Sequence, residues 1–349
     1  MNPFRRSFLK LLATGGAVAA SAPTLARADR IRVLPDGSDA AAPLLTGHRS
    51  PELGRALGGL TLGPATIQGG LAVLWLHAKD SAGGPPPLEI LTLDESRASG
   101  ALTVIERPEA TVPALIAENR GKTYVLLLAG EILIGGKQNR VLREDLLLPP
   151  LSGPRNIAVY CVEQGRWNEG RKDFDSHSSV VQPSVRSQVL RKAEQSRIWS
   201  GVVAASRSMA APSATGSYQA IYDKPEVKAH LEQTTRRFDP TAAPTAVGAA
   251  VFVGPSLAGV DVFHAPGLFA REWSKLLRAY ALDAYAGAPG AWDETGARAR
   301  TDGLLRAAAR IAGGLRGSVG AGRLFEFTLD GRRGAALLFE GQAIHVAIL

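Results

Sequence analysis

Residues 247–263 read VGAAVFVGPSLAGVDVF, and residues 269–284 read FAREWSKLLRAYALDA. In the first stretch two apolar runs, Val247–Val253 and Ala258–Phe263, flank Gly254-Pro255-Ser256, which predicts a β-hairpin. In the second, Phe269, Trp273, Leu276, Leu277, Tyr280 and Ala284 recur at helical spacing, with Gly287 as a stop, which predicts an amphipathic helix. A hairpin that runs into a helix, without strand–helix–strand alternation, predicts an α+β protein with antiparallel sheets.

Working outward supports the same class. Towards the C-terminus, Thr301–Leu315 reads as a helix, and Arg323–Leu329, Ala335–Phe339 and Ala343–Ile348 read as a meander turning at Asp330-Gly331 and Glu340-Gly341. Upstream, Gln182-Pro183 opens a helix running to Ser208, and Lys224-Pro225 opens a shorter one. Before residue 170 strands dominate: Leu71–Leu76, Leu88–Leu93, Leu102–Arg107, Tyr124–Ala129, Glu131–Ile134, Leu146–Leu148 and Ile157–Val162. Gly83–Pro87 forms a loop between two of them, because consecutive prolines do not join a ladder. The expected organisation is a signal segment at 1–28, an irregular lead-in at 29–59, a β-rich half at 60–170 and an α+β half at 171–349. The two halves read as separate domains or as one continuous domain.

The signal assignment rests on Phe4-Arg5-Arg6-Ser7-Phe8-Leu9-Lys10, an arginine pair with an apolar follow-up and a lysine. It leads into a mildly apolar stretch from Leu11 to Leu25 and the small-x-small site Ala26-Arg27-Ala28. This is a twin-arginine pattern, so the expected partner is the twin-arginine export machinery, and the expected location is periplasmic. Gly15, Gly16 and the alanines leave the apolar stretch too short for a stable membrane span after cleavage. The chain has one cysteine, Cys161, so an intramolecular disulfide is excluded, as suits a protein folded before export. Removing residues 1–28 takes four basic residues and no acidic one, leaving 36 basic against 32 acidic. Half of the formal charge of +8 therefore belongs to the signal, and with no long basic run a nucleic-acid partner is not indicated.

Chemistry-bearing residues concentrate in two motifs, Gly130-Glu131 to Gly135-Gly136-Lys137-Gln138-Asn139-Arg140 and Cys161-Val162-Glu163-Gln164-Gly165-Arg166-Trp167. The glycine pair permits a bulge that aims Gln138, Asn139 and Arg140 at one spot, a donor set suited to a carboxylate, a phosphate or sugar hydroxyls. Glu131 and Glu163 are candidate general bases if their strands bring them together. Trp167 is a candidate stacking surface for a sugar or base. The same residues equally form ion pairs, Arg140 with Glu131 and Arg166 with Glu163, in a purely structural role.

These motifs, with Ser213-Ala214-Thr215-Gly216, the Gly248–Phe263 hairpin and the helix bearing Trp273 and Asp283, resemble the ADP-ribosylglycohydrolase and rhodanese-phosphatase associated protein family over residues 60–345. The resemblance implies nucleotide or ADP-ribose-related ligands.

Elsewhere the sequence is less eloquent. Cys161 lies inside an apolar run and reads as a core residue rather than a nucleophile. The six histidines show no metal-ligand spacing, Asp173–His177 reads as a polar loop, and no cofactor fingerprint is present, so neither metal nor cofactor is indicated. Three readings follow: a periplasmic binder of an anionic or sugar-containing molecule at Glu131, Gln138, Asn139, Arg140, Glu163, Arg166 and Trp167; a hydrolase using Glu131 or Glu163 as base; and a structural or interaction protein. Convergence of these side chains on an open concavity favours the first two, and mutual burial favours the third.

Overall fold

The computed structural model describes residues 45–79, 88–107, 113–167, 172–287 and 290–349, all within one compact unit, Val33–Leu349. The expected signal at 1–28 and the Gly83–Pro87 loop lie outside the described residues. The chain opens with β1 (Leu45–Arg49), α1 (Pro51–Gly58), β2 (Leu60–Gln68), β3 (Leu71–Ala78), β4 (Ile90–Leu91) and α2 (Leu93–Ala98). Eight short strands follow: β5 (Leu102–Glu106), β6 (Ala114–Asn119), β7 (Tyr124–Leu127), β8 (Glu131–Gly135), β9 (Arg140–Leu142), β10 (Leu146–Leu148), β11 (Gly153–Cys161) and β12 (Phe174–Val180). Four helices come next, α3 (Pro183–Leu190), α4 (Gln195–Ser208), α5 (Gln219–Asp223) and α6 (Pro225–Arg237). Then come β13 (Ala246–Val253), β14 (Ser256–Phe263), α7 (Pro266–Ala286) and α8 (Glu294–Ala308). The chain ends in β15 (Ala312–Gly317), β16 (Arg323–Leu329), β17 (Arg332–Phe339) and β18 (Gln342–Ile348).

This is an α+β fold. A nine-stranded antiparallel sheet runs β1-β15-β16-β17-β18-β14-β13-β3-β2, so strands from the beginning and the end of the described chain share one sheet. The hairpin that opened the sequence reading sits inside it, with Val253 opposite Ser256 and Gly254 at φ 55° in the turn. A six-stranded sheet runs β12-β8-β9-β11-β6-β5, and a three-stranded one, β10-β7-β4, contains a parallel pair, β4–β7.

Both faces of the nine-stranded sheet are covered, which explains the unbroken apolar runs of its central strands. Leu71, Val73 and Trp75 face one core with Trp273, Leu276 and Tyr280 of α7. Ala72, Leu74 and Leu76 face the other, with Leu53 and Leu57 of α1 and Leu304 and Leu305 of α8. A third core, including Leu115, Leu133, Leu142, Ile157 and Phe174, fills the region of the smaller sheets.

Five expectations are corrected. The Asp173–His177 segment is no loop: Phe174–His177 belong to β12, where Phe174 pairs with Gly135 and Ser176 with Leu133. The lead-in at 29–59 is not irregular throughout: 45–49 is a strand, and Ser50 caps α1 by accepting from the Leu53 amide at 3.1 Å. The 183–208 helix breaks into α3 and α4, with Lys192 at φ 53° between them. In the 88–93 strand only Ile90–Leu91 pairs, because Thr92 and Glu95 form a capping box that starts α2. The 301–315 helix is displaced: α8 stops at Ala308, and 312–317 joins the sheet, where a Cβ on Gly313 would lie 2.4 Å from the Glu326 carbonyl oxygen.

Candidate functional site

Between β8 and β9 the backbone turns through Gly135 (φ 139°) and Gly136 (φ 49°). Neither position admits a side chain: a Cβ on Gly136 would meet Phe174 Cζ at 2.2 Å and Glu106 Oε1 at 2.6 Å. This turn delivers Gln138, Asn139 and Arg140 to one place, as the sequence suggested, and the Cys161–Trp167 segment closes over them.

Most of the gathered groups satisfy one another, Arg140 Nε being buried with no hydrogen-bond partner among the described residues. Arg166 donates to Glu163 Oε2 (2.9 Å), to the Gly136 (2.7 Å) and Gly135 (3.1 Å) carbonyls and to Asn139 Oδ1 (3.0 Å). Glu163 also accepts from the Thr215 hydroxyl at 2.7 Å and the Asn139 amide at 3.1 Å. Asn139 Nδ2 donates to Ser217, and Gln138 Nε2 to the Gln164 carbonyl. Burial pushes the Glu163 carboxyl up, but the Arg166 and Thr215 hydrogen bonds outweigh it and hold the acid below its usual range.

The expected Arg166–Glu163 pair is therefore present. The expected Arg140–Glu131 pair is not: Arg140, 1% exposed, donates to Gln138 Oε1 at 3.1 Å and lies 3.7 Å from Glu106. Glu131 and Glu163 belong to different clusters and share no hydrogen-bond partner among the described residues. Trp167 is the exposed member of the candidate set, at 50%, with Lys137 Nζ 5.0 Å from its ring centroid. Cys161 is buried, and burial pushes its thiol up, as a core cysteine requires.

Glu131 enters a second buried network that the sequence reading missed. Its partner is Lys275 of α7, which also lies 2.7 Å from Glu272 and 3.2 Å from Asp94. Burial, with Glu272 and Asp94 alongside, pushes Glu131 up to about 8 against the pull of Lys275, whose ammonium is held firmly charged. Beside it, Arg186 donates to both oxygens of Asp261 (2.9 and 3.0 Å) and to the Ala129 carbonyl (2.8 Å). Tyr280 donates to Asp261 at 2.6 Å, and His345 bridges Asp145 (2.6 Å) and Asp261 (3.0 Å). Burial lowers the His345 imidazole, but the two carboxylates prevail and raise it to about 9, so it is an imidazolium between two aspartates.

Both networks grip the Leu128–Glu131 turn. The Leu128 amide donates to Glu131 Oε2 (2.7 Å) and the Ala129 amide to Asp145 Oδ1 (2.8 Å). The available sequence signal was an ionisable residue inside an apolar element: Asp261 in Val-Asp-Val, His345 in Ile-His-Val, and Glu272 and Lys275 flanking Trp273 on the apolar face of a helix.

Open space lies elsewhere. A cleft of about 370 Å³ opens where α1, the end of β3 and the start of β18 meet the β14–α7 junction. Its floor includes Val247, Val262, Phe263 and Ala343, and its polar groups are Glu52, Arg55, Lys79, His264 and Gln342. Arg55 donates to the Gly341 carbonyl at 2.9 Å, which holds it over the cleft. Glu52 is engaged by Arg323 at 3.1 Å and by the Ser50 hydroxyl at 2.8 Å. The His264 ring lies mostly buried with both nitrogens shut off from solvent, and burial lowers its pKa against the pull of the Ile344 and Leu88 backbone. Sequence reading recorded His264 only as a scattered histidine and placed Arg55 in an irregular segment.

The fold and its interior define an α+β domain built around two buried polar networks, with its motif residues turned inward. Residues 59–349 match the ARG and Rhodanese-Phosphatase-superfamily-associated Protein domain, and the chain belongs to that family. The match takes in both motifs, both networks, Lys79, His264 and Gln342; Glu52 and Arg55 precede it. No curated protein and no solved structure matches the chain.

Proposed function

We propose that this protein is an exported, periplasmic ligand-binding domain for a small anionic molecule, held in the cleft beneath Arg55, Lys79 and His264. The observation that carries this reading is the charge of that cleft. Two cationic side chains stand over an apolar floor, while the one carboxylate present, Glu52, is already engaged by Arg323. An apolar concavity with a few convergent polar groups is the usual form of a small-molecule site. The arginine pair and cleavage site in residues 1–28 support export by the twin-arginine route.

The two motifs then serve as scaffold. Gln138, Asn139, Arg140, Glu163 and Arg166 spend their hydrogen bonds on one another, and a ligand would have to break those bonds to enter. A hydrolase reading needs a general base within reach of substrate, whereas Glu131 and Glu163 are 1% and 4% exposed.

A thermal-shift screen of the mature protein against carboxylates, phosphates, nucleotides, ADP-ribose and neutral sugars tests the proposal, since a ligand specific to the folded state raises its apparent stability. Anions stabilise the wild type, neutral sugars do not, and Lys79→Glu abolishes the response. Stabilisation by neutral sugars alone, or by no compound, refutes it.

A further inference from the structure

His264 lines a second concavity on the other side of the β14–α7 junction, of about 720 Å³. Its walls are Leu88, Ile90, Leu91, Ala265, Pro266 and Leu268, so the surface beyond the imidazole is mostly hydrocarbon. The guanidinium at its edge, Arg271, is committed: it donates to the Ile90 carbonyl at 2.7 Å and lies 3.4 Å from Glu95. Glu89 also lines this space and disfavours a second anionic group there. Net positive charge is thus concentrated at one end, by Arg55 and Lys79 against the already paired Glu52, and the other end is mostly apolar wall, with His264 lining both.

Resting on the anion-binding reading above, we propose that the two clefts act as one site and that the ligand is an anionic amphiphile, a single carboxylate on a linear hydrocarbon chain. The carboxylate sits by Arg55 and Lys79, and the chain runs past the imidazole into the second cleft. The occupant is a free monomer rather than a membrane, because the polar end and the apolar end are two concavities that share His264 in their walls and not a flat apolar face.

The test is isothermal titration of the mature protein with straight-chain carboxylates of increasing length, each kept below its micellar concentration. Burying one methylene strengthens binding by about two- to fourfold, so affinity climbs with length and levels off once the clefts are filled. Gly267→Phe is the discriminating variant. Gly267 lines the second cleft, and a Cβ there meets nothing within 4 Å, so the ring blocks the space without displacing the core. It should flatten the length dependence and leave the shortest carboxylates bound as in wild type, with Gly267→Ala as the folded control. Lys79→Glu should weaken every length alike. Short carboxylates that bind with no gain from added methylenes, or a length dependence that survives Gly267→Phe, overturn the amphiphile proposal and leave the anion site standing. No binding at any length, with phosphates or nucleotides still stabilising the protein, overturns the amphiphile proposal alone, and no binding of any anion overturns both. Co-sedimentation with phosphatidylglycerol vesicles without saturable binding of monomers overturns the choice of a free ligand.

Discussion

Replacing Lys275 with methionine tests whether the buried network is held by charge. Methionine keeps most of the hydrophobic stem and removes the ammonium that Glu131, Glu272 and Asp94 share. Glu131 and Glu272 are 1% and 0% exposed, so neither can remain ionised there without a counter-charge. In the wild type burial raises both acids, Glu131 up to about 8, while the lysine charge pulls each of them down. In Lys275→Met a carboxylate that the ammonium keeps charged must take up a proton on folding. A glutamate with an ordinary pKa of 4.5 is displaced by two and a half units at pH 7, and at about 1.4 kcal/mol per unit this costs about 3.5 kcal/mol. That value falls in the range of about 3–5 kcal/mol for breaking a buried pair on one side. At pH 5 the same protonation costs about 0.7 kcal/mol, so most of the penalty disappears on acidification. Urea unfolding of wild type and Lys275→Met, followed by tryptophan fluorescence at pH 7 and pH 5, measures both differences. A loss below about 1 kcal/mol at pH 7, or a loss that does not shrink at pH 5, refutes the charge argument.

Three further outcomes are expected. Arg140→Ala should lower stability by about 2–4 kcal/mol, because it leaves Gln138 Oε1 and Glu106 without their cation, and should leave anion titrations unchanged; unaltered stability with lost binding would return the ligand site to the motif. Gly136→Ala combines a left-handed backbone with a methyl 2.2 Å from Phe174 and should cost about 2 kcal/mol or more in urea unfolding, while Gly47→Ala, with φ 71° and open space around its Cβ, shows the backbone contribution alone. Stability should also fall on the alkaline side. His345 is raised from 6.5 to about 9 and Glu131 from 4.5 to about 8, so the folded state holds protons that the unfolded chain releases. The His345 contribution is complete below pH 6.5 and gone above pH 9, and that of Glu131 is complete below pH 4.5 and lost through pH 8. Melting temperatures that stay level between pH 6.5 and 9.5 would contradict this, and His345→Gln should remove part of the slope.

Much of the fold was legible in the sequence because it depends on local periodicity and turn chemistry. The Val247–Phe263 hairpin, the helix through Trp273 and the closing meander with its turns at Asp330-Gly331 and Glu340-Gly341 could be read from neighbours in the chain. What failed also had local causes. A capping box outranked the apolar run at Leu93, and Gly313 allowed a strand to pass under Glu326 where leucine and alanine spacing suggested a helix. The candidate site was legible as a set of residues that meet, since the Gly135-Gly136 turn and the Cys161–Trp167 segment do bring Gln138, Asn139, Arg140, Glu163 and Arg166 together.

The sequence by itself determined the α+β class, the core role of Cys161 and Trp273, and the family, because these follow from apolar pattern and from contiguous motifs. Only the tertiary structure decided which charges pair. Glu131 meets Lys275 across 144 positions and Asp145 meets His345 across 200, and ion pairing depends on distance and burial, which chain separation does not encode. The clefts beside His264 likewise exist only where α1, β3, β18 and the β14–α7 junction converge, since a concavity belongs to the packing of elements and not to any one of them.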